Sequence, residues 1–161
     1  MVHTIIGVMG PGNGATQTDL DNAYTLGKLV AEQNWTLLTG GRNVGVMNAA
    51  SKGASEAGGL VIGILPSENK EGISQFVDIP ICTGMGSARN NINVLSSDAV
   101  VACGSGAGTT SEIMLALKTG KPLVLLNPST NLIRFIGDLN YPVPPNLESP
   151  QKAVQTIKEL L

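Results

Sequence analysis

Short apolar runs alternate with longer amphipathic stretches along nearly the whole chain. The runs have strand length and lie near Thr4 to Met9, Trp35 to Thr39, Leu60 to Leu65, Gln75 to Pro80, Ala99 to Cys103 and Pro122 to Leu126. They are rich in β-branched residues and hydrophobic on both faces, which predicts strands covered on each side. Helices are predicted between and after them, over Thr16 to Gln33, Val44 to Ala57, Ser87 to Ser96, Thr109 to Thr119, Thr130 to Asp138 and Pro150 to Leu161. In the first, Leu20, Ala23, Tyr24, Gly27 and Val30 recur at spacings of three or four and are expected to share one buried face. This alternation predicts an α/β fold, a doubly wound, mainly parallel sheet with helices on both faces.

Glycine and proline punctuate the pattern. Ala57-Gly58-Gly59 and Thr119-Gly120-Lys121-Pro122 read as helix stops, since glycine accepts the left-handed cap and proline cannot continue the helix. The polar segment Pro66 to Ser74 breaks the alternation and reads as a surface loop, a candidate flap beside the site. Asn140 to Pro150 holds four prolines and no periodicity, so an extended connection is expected there.

Composition narrows the class. With 161 residues, 42% of them hydrophobic, the chain suits one globular domain spanning residues 1–161. A net charge of -2 gives no broad footprint for nucleic acid or an anionic membrane. Only 14% of residues are charged and the mean hydropathy is positive, so an apolar face buried in a homo-oligomer is expected. Cys82 and Cys103 sit at predicted strand ends and read as reduced core residues rather than a disulfide framework. The first ten residues lack a basic region followed by a long apolar one, and no apolar run approaches the roughly 18 residues of a membrane span. A cytoplasmic protein is expected.

Three glycine-rich turns each follow an apolar run and open a predicted helix: Gly10-Pro11-Gly12-Asn13-Gly14, Gly40-Gly41-Arg42-Asn43-Val44-Gly45, and Gly104-Ser105-Gly106-Ala107-Gly108-Thr109-Thr110-Ser111-Glu112. Several helix N-termini converging at the end of a parallel sheet would suit a phosphorylated small molecule. Each supplies at most roughly 2 kcal/mol to a partly buried anion, so three give about 6, short of the ~8 needed for micromolar affinity. Arg42 and Arg89 just beyond strand ends are the candidate counter-charges, unless they are solvated loop residues or partners for carboxylates.

Other ligand classes fit less well. Gly10-x-Gly12-x-x-Ala15 matches a dinucleotide fingerprint, but the second strand ends Leu38-Thr39-Gly40-Gly41 without the acidic residue that holds a ribose. No Gly-Lys-Ser/Thr triplet marks a nucleoside triphosphate loop, and five aromatic residues leave few platforms for stacked bases. No cluster has metal-ligand spacing. Thr109-x-x-Glu112 reads as a capping box, and Glu112 is equally a candidate ligand contact at the mouth of the site.

The runs Gly40 to Met47, Ala57 to Gly59, Gly63 to Pro66 and Gly104 to Glu112 resemble the Rossmann-like superfamily that contains the LONELY GUY phosphoribohydrolases, often labelled lysine-decarboxylase-like. Within it, Ile6 to Gly12, Trp35 to Arg42 and Gly86 to Asn93 are more similar to the molybdenum cofactor carrier proteins. The resemblance extends to about Leu126. The hydrolases have a third glycine where this chain has Arg42, Pro-Gly-Gly where it has Gly104-Ser105-Gly106, and Arg-Lys where it has Arg89-Asn90.

The resemblance implies a three-layer Rossmann-like fold and a homotetramer that binds molybdopterin, the molybdenum cofactor, as cargo without catalysis. It implies transient meetings with molybdoenzymes or cofactor-biosynthesis proteins, and no nucleic-acid or membrane partner. The cofactor contacts expected are Gly10, Pro11 and Gly12; Gly40, Gly41, Arg42, Asn43, Gly45, Val46 and Met47; Arg89; and Ser105, Gly106, Ala107, Gly108, Thr109, Thr110 and Glu112. Under the alternative, a nucleoside 5'-monophosphate phosphoribohydrolase, Arg89 and Glu112 would be catalytic.

Overall fold

The computed structural model describes residues 3–161. Seven parallel strands form one sheet: β1 (Ile5–Met9), β2 (Thr36–Thr39), β3 (Val61–Leu65), β4 (Ile79–Cys82), β5 (Ala99–Cys103), β6 (Leu123–Leu126) and β7 (Asn146–Leu147). Their spatial order is β4-β3-β2-β1-β5-β6-β7. The chain therefore builds outward from β1 to one edge, crosses back, and builds outward again from β5. That reversal opens a crevice above the carboxyl ends of β1 and β5, where Met9 pairs with Ala102.

Six helices cover the sheet: α1 (Gln17–Glu32), α2 (Gly45–Glu56), α3 (Arg89–Leu95), α4 (Ala107–Thr119), α5 (Thr130–Asp138) and α6 (Pro150–Leu160). Side chains of a strand point alternately to its two faces, so β5 sends Ala99, Val101 and Cys103 one way and Val100 and Ala102 the other. The first set packs with Leu26 and Val30 of α1, Ala50 of α2 and Ile157 of α6. The second packs with Val94 of α3, Ile113 of α4 and Ile136 of α5. Helices α1 and α2 approach closely because a Cβ at Gly27 would overlap the Ala50 carbonyl, and one at Gly53 the Tyr24 carbonyl.

Several expectations need correction. β4 runs over Ile79–Cys82, not Gln75 to Pro80, because Ser74 turns the chain by accepting from the Phe76 N–H, and Asp78 then donates its N–H to the Val61 carbonyl while its carboxylate Oδ2 accepts from the Val61 N–H. β4 lies at the sheet edge, so Cys82 is exposed, whereas Cys103 is buried in the interior strand β5. Tyr24 leaves the buried face of α1 and donates its hydroxyl to Glu56 across α2 at 2.7 Å. The proline-rich connection contains β7, a two-residue strand paired with β6. The glycine stops hold: Gly58 and Gly120 both have positive φ, and Gly120 is the left-handed cap of α4.

The polar segment Pro66 to Ser74 does form a loop, but its far end is pinned. Asn43 N–H donates to the Gly72 carbonyl and Ser74 N–H to the Gly41 carbonyl, so the loop's end holds the second glycine turn in place. The Ser74 hydroxyl also donates to Asn48 Oδ1 at 2.7 Å.

Candidate functional site

The crevice between β1 and β5 is a cleft of about 580 Å³. Its walls include Gly10, Pro11 and Gly12 after β1, Gly40, Arg42 and Met47 after β2, Arg89 at the start of α3, and Ser105, Gly106, Ala107, Gly108, Thr109 and Glu112 after β5. All three glycine turns thus reach one cavity. Five expected contacts stay out of its lining. Gly41 is buried against Gly63, and Asn43 is turned toward the Gly72 loop. Gly45 and Val46 lie under the backbone of Pro11 and Gly12, and the Thr110 N–H is spent on the Gly106 carbonyl.

The three helix N-termini do not contribute alike. At α1, Thr16 Oγ1 accepts from the Asp19 N–H at 3.2 Å and Asp19 Oδ2 accepts from the Thr16 N–H at 3.0 Å, a complete capping box. At α2, the Val46 N–H donates to the Pro11 carbonyl at 3.0 Å. At α4, the cap is Gly106, which has no side chain to offer. The sum expected from three equal turns therefore does not hold: α1 is closed by its own side chains, α2 has no side-chain cap but gives its Val46 N–H to Pro11, and α4 is left with no cap side chain, an end worth up to about 2 kcal/mol for a partly buried anion. The remaining attraction falls to the arginines.

The capping box expected at Thr109 does not form. α4 begins two residues earlier, at Ala107, so Thr109 and Glu112 lie inside the helix on its buried face. Thr109 is 2% exposed and its Oγ1 has no partner. Glu112 instead accepts from Asn93 Nδ2 on α3 at 2.8 Å. Burial lifts the Glu112 carboxyl to about 7, against the opposing pull of the Asn93 bond and of the Arg89 charge.

Arg89 is fixed by backbone: its Nε donates to the Ile64 carbonyl at 2.8 Å and its Nη1 to the Gly86 carbonyl at 3.3 Å. Glycine at position 40 makes this possible, since a Cβ there would stand 2.9 Å from Arg89 Nη2. Burial pulls the guanidinium below its ordinary value, Glu112 opposes this, and the Arg42 charge adds to it. Among the described residues neither Arg42 nor Arg89 is in an ion pair; the three pairs present are exposed links between residues four apart elsewhere. Two cationic side chains therefore face the cleft without carboxylate partners.

The sequence reading left out Val8, Met9, Gly14, Ser87, Asn90, Asn93 and Ser111, which also line the cleft. Asn90 and Asn93 stand three apart on α3 and meet the consecutive residues Ser111 and Glu112 of α4 at 2.8 Å each. That spacing of amides was the available signal. Among the described residues no group of His, Cys, Asp and Glu is placed to hold a metal ion, and no helix is long and apolar enough to cross a membrane.

With this geometry in view, comparison with known proteins is informative. The molybdenum cofactor binding protein of Rippkaea orientalis superimposes with a TM-score of 0.96 and is 56% identical, covering 99% of this chain and 98% of that one. The molybdenum cofactor carrier protein of Chlamydomonas reinhardtii gives a TM-score of 0.91 and 48% identity, with the same coverage of 99% and 98%. A cytokinin riboside 5'-monophosphate phosphoribohydrolase of Mycobacterium tuberculosis is 31% identical over 68% of this chain. The match spans 63% of that enzyme's length. The SLOG cluster4 family model matches residues 3–156, and the chain belongs to that family.

Proposed function

We propose that this protein is a carrier that binds the molybdenum cofactor as cargo, shields it, and releases it to a molybdoenzyme, without catalysing a reaction. The observation that carries this reading is end-to-end similarity, at 56% identity, to a molybdenum cofactor binding protein. The cleft suits such a cargo, which combines a terminal phosphate, an oxo-molybdenum dithiolene group and a pterin. The uncapped first turn of α4, Gly106 to Thr109, offers backbone N–H groups and an unpartnered hydroxyl to the phosphate. Arg42 and Arg89 supply counter-charge, and Gly10, Gly12 and Gly40 keep side chains out of the turns that edge the cleft. Met9 and Met47 give an apolar wall, which lowers water access to an oxidisable group. A homotetramer in the cytoplasm, meeting recipient or biosynthetic enzymes transiently, fits the exposed apolar side chains of Phe135, Leu139, Tyr141 and Val143.

The test is a protection assay. Purified protein should bind the cofactor stoichiometrically, slow its oxidative decay, and reconstitute an apo-molybdoenzyme; an unchanged decay rate would end the proposal. Arg42→Ala should weaken cofactor retention about tenfold, the value of a charge-assisted contact.

A second reading, phosphoribohydrolase activity, is favoured by one observation: Glu112, with its carboxyl near 7, shares the cleft with Arg89. It predicts release of free base from adenosine monophosphate, abolished by Glu112→Gln. No base release at high protein concentration would dispose of it.

A further inference from the structure

Below the first turn of α4 the cleft has a polar floor whose arrangement is costly. Asn93 is 1% exposed, its Nδ2 donates to Glu112 Oε1, and its Oδ1 accepts from nothing. Leaving a buried amide oxygen without a donor is destabilising. What the sacrifice secures is the position of Glu112. The Asn93 bond is the one hydrogen bond to that carboxylate among the described residues, so Oε2 is unclaimed and Oε1 keeps a second lone pair. Glu112 lines the cleft.

A carboxylate there is a problem for a purely anionic ligand. Glu112 lies three residues beyond Thr109, roughly 4.5 Å further along the helix, on the same buried face. An anion at the open end of α4 would meet a repelling group one turn deeper, unless the ligand brings N–H donors to that point. Arg89 spends Nε and Nη1 on the Ile64 and Gly86 carbonyls and forms no ion pair with Glu112, so its charge still faces the cleft while the carboxylate's lone pairs stay free to accept.

A carboxylate takes two parallel N–H donors side by side. A 2-amino-4-oxopyrimidine ring presents such a pair, a ring N–H beside an amino group. An adenine ring presents an amino group beside an acceptor nitrogen, which would face the carboxylate unfavourably. We propose that Glu112, oriented by Asn93, reads the donor edge of a 2-amino-4-oxopyrimidine ring, the ring shared by pterins and guanine. The choice of ring class rests on the carrier reading; the acceptor geometry does not. Glu112 is the contacting group, and Asn93 is a positioning residue.

Equilibrium binding of four probes at about pH 7.5, above the Glu112 value of about 7 so that the carboxylate is mostly ionised, tests this, with each probe recovered intact: guanosine monophosphate, adenosine monophosphate, ribose 5-phosphate and the fluorescent pterin-6-carboxylate. The intact protein should prefer guanosine monophosphate to adenosine monophosphate by about tenfold. Glu112→Gln should collapse that ratio to near one while ribose 5-phosphate binds as well or better, because a negative charge has gone. Asn93→Ala should lower the ratio part of the way. Equal affinity for the two nucleotides in the intact protein overturns the proposal, and so does a Glu112→Gln loss that is the same for all phosphates. Pterin-6-carboxylate binding tighter than guanosine monophosphate assigns the ring to a pterin, and the reverse order assigns it to a guanine nucleotide; either supports the donor-edge subsite. Failure of the cofactor protection assay with the nucleotide preference intact would remove the carrier reading and leave this subsite standing.

Discussion

At the end of β1 the chain turns through Gly10–Gly14 into α1 and caps that helix with its own side chains. At the end of β5, the neighbouring strand, it turns through Gly104–Gly106 into α4 and leaves that helix uncapped. The two turns are even in contact with each other's machinery: Gly104 has a φ of 80°, and a Cβ there would stand 2.7 Å from the Asp19 carboxyl. Asp19 accepts from Thr16 N–H and from Asn127 Nδ2, while Glu112, the carboxylate of the other helix, accepts from Asn93 alone. A glycine-rich turn before a helix is thus not itself an anion site. One end is satisfied from within and carries its own negative charge, and the other is left without a cap.

The largest expected effect comes from making the second turn like the first. Gly106 has an extended backbone, φ −176° and ψ 166°, so any residue can adopt it, and a Cβ there meets Pro11 at no less than 3.4 Å. Gly106→Asp should therefore cap α4 as a normal helix and stabilise the fold by about 1 kcal/mol. The same carboxylate would occupy the free N–H groups and repel an anion. Cofactor retention should fall by more than about 100-fold, or about 3 kcal/mol, while the melting temperature holds or rises. Retained binding would show that the open end of α4 does not hold the cargo.

Titration of Glu112 probes the open side of this contrast. Glu112 has its folded-state value raised from 4.5 to about 7 by burial, so between those values the folded protein holds a proton that the unfolded chain has lost. The sign follows: this group costs nothing below pH ~4.5, where both states are protonated, and its cost grows as pH rises through about 7, reaching at most about 3 kcal/mol. Glu112→Gln removes that cost. The variant should melt roughly 6–12 °C above the parent at pH 8 and coincide with it near pH 4. A variant that is less stable at pH 8 would mean that Glu112 is partnered as fully as Asp19.

Much of this contrast was out of reach in the sequence. The strand runs and glycine turns are legible because buried parallel strands leave apolar blocks of five or so residues and because glycine marks where backbone must turn or approach. β1 and β5, which flank the cleft, were read nearly to the residue, but the strand order that makes them neighbours is a property of the fold. The caps were not legible. Thr109-x-x-Glu112 has the spacing of a capping box, but the same spacing occurs inside any helix, and α4 starts at Ala107. The true box, Thr16-x-x-Asp19, carries aspartate where the pattern asks for glutamate or glutamine. Asn93 escaped because helical periodicity assigns an amide to solvent, whereas here its partner comes from another helix 19 residues away. Cys82 was misplaced for a related reason, since the end of an edge strand and the end of a central one look alike until neighbours in space are known.

The finest test of the comparison uses one substitution on each helix. Thr16 and Thr109 both stand at the start of a helix, but Thr16 Oγ1 accepts from Asp19 N–H and Thr109 Oγ1 is buried without a partner. Replacing threonine with valine keeps the branched shape and removes the hydroxyl. Thr16→Val deletes a cap and should cost about 1 kcal/mol, with cofactor retention unchanged. Thr109→Val deletes a hydroxyl that loses its water on folding and gains nothing in return, so it should stabilise the fold by about 1 kcal/mol. If that hydroxyl exists for the cargo, the same variant should hold the cofactor about fivefold less tightly, the value of one neutral hydrogen bond. Opposite shifts in melting temperature are the signature of one end closed by its own side chains and one left open. Equal losses in both variants would mean that Thr109 is as internally satisfied as Thr16, and the asymmetry between the two turns would fail.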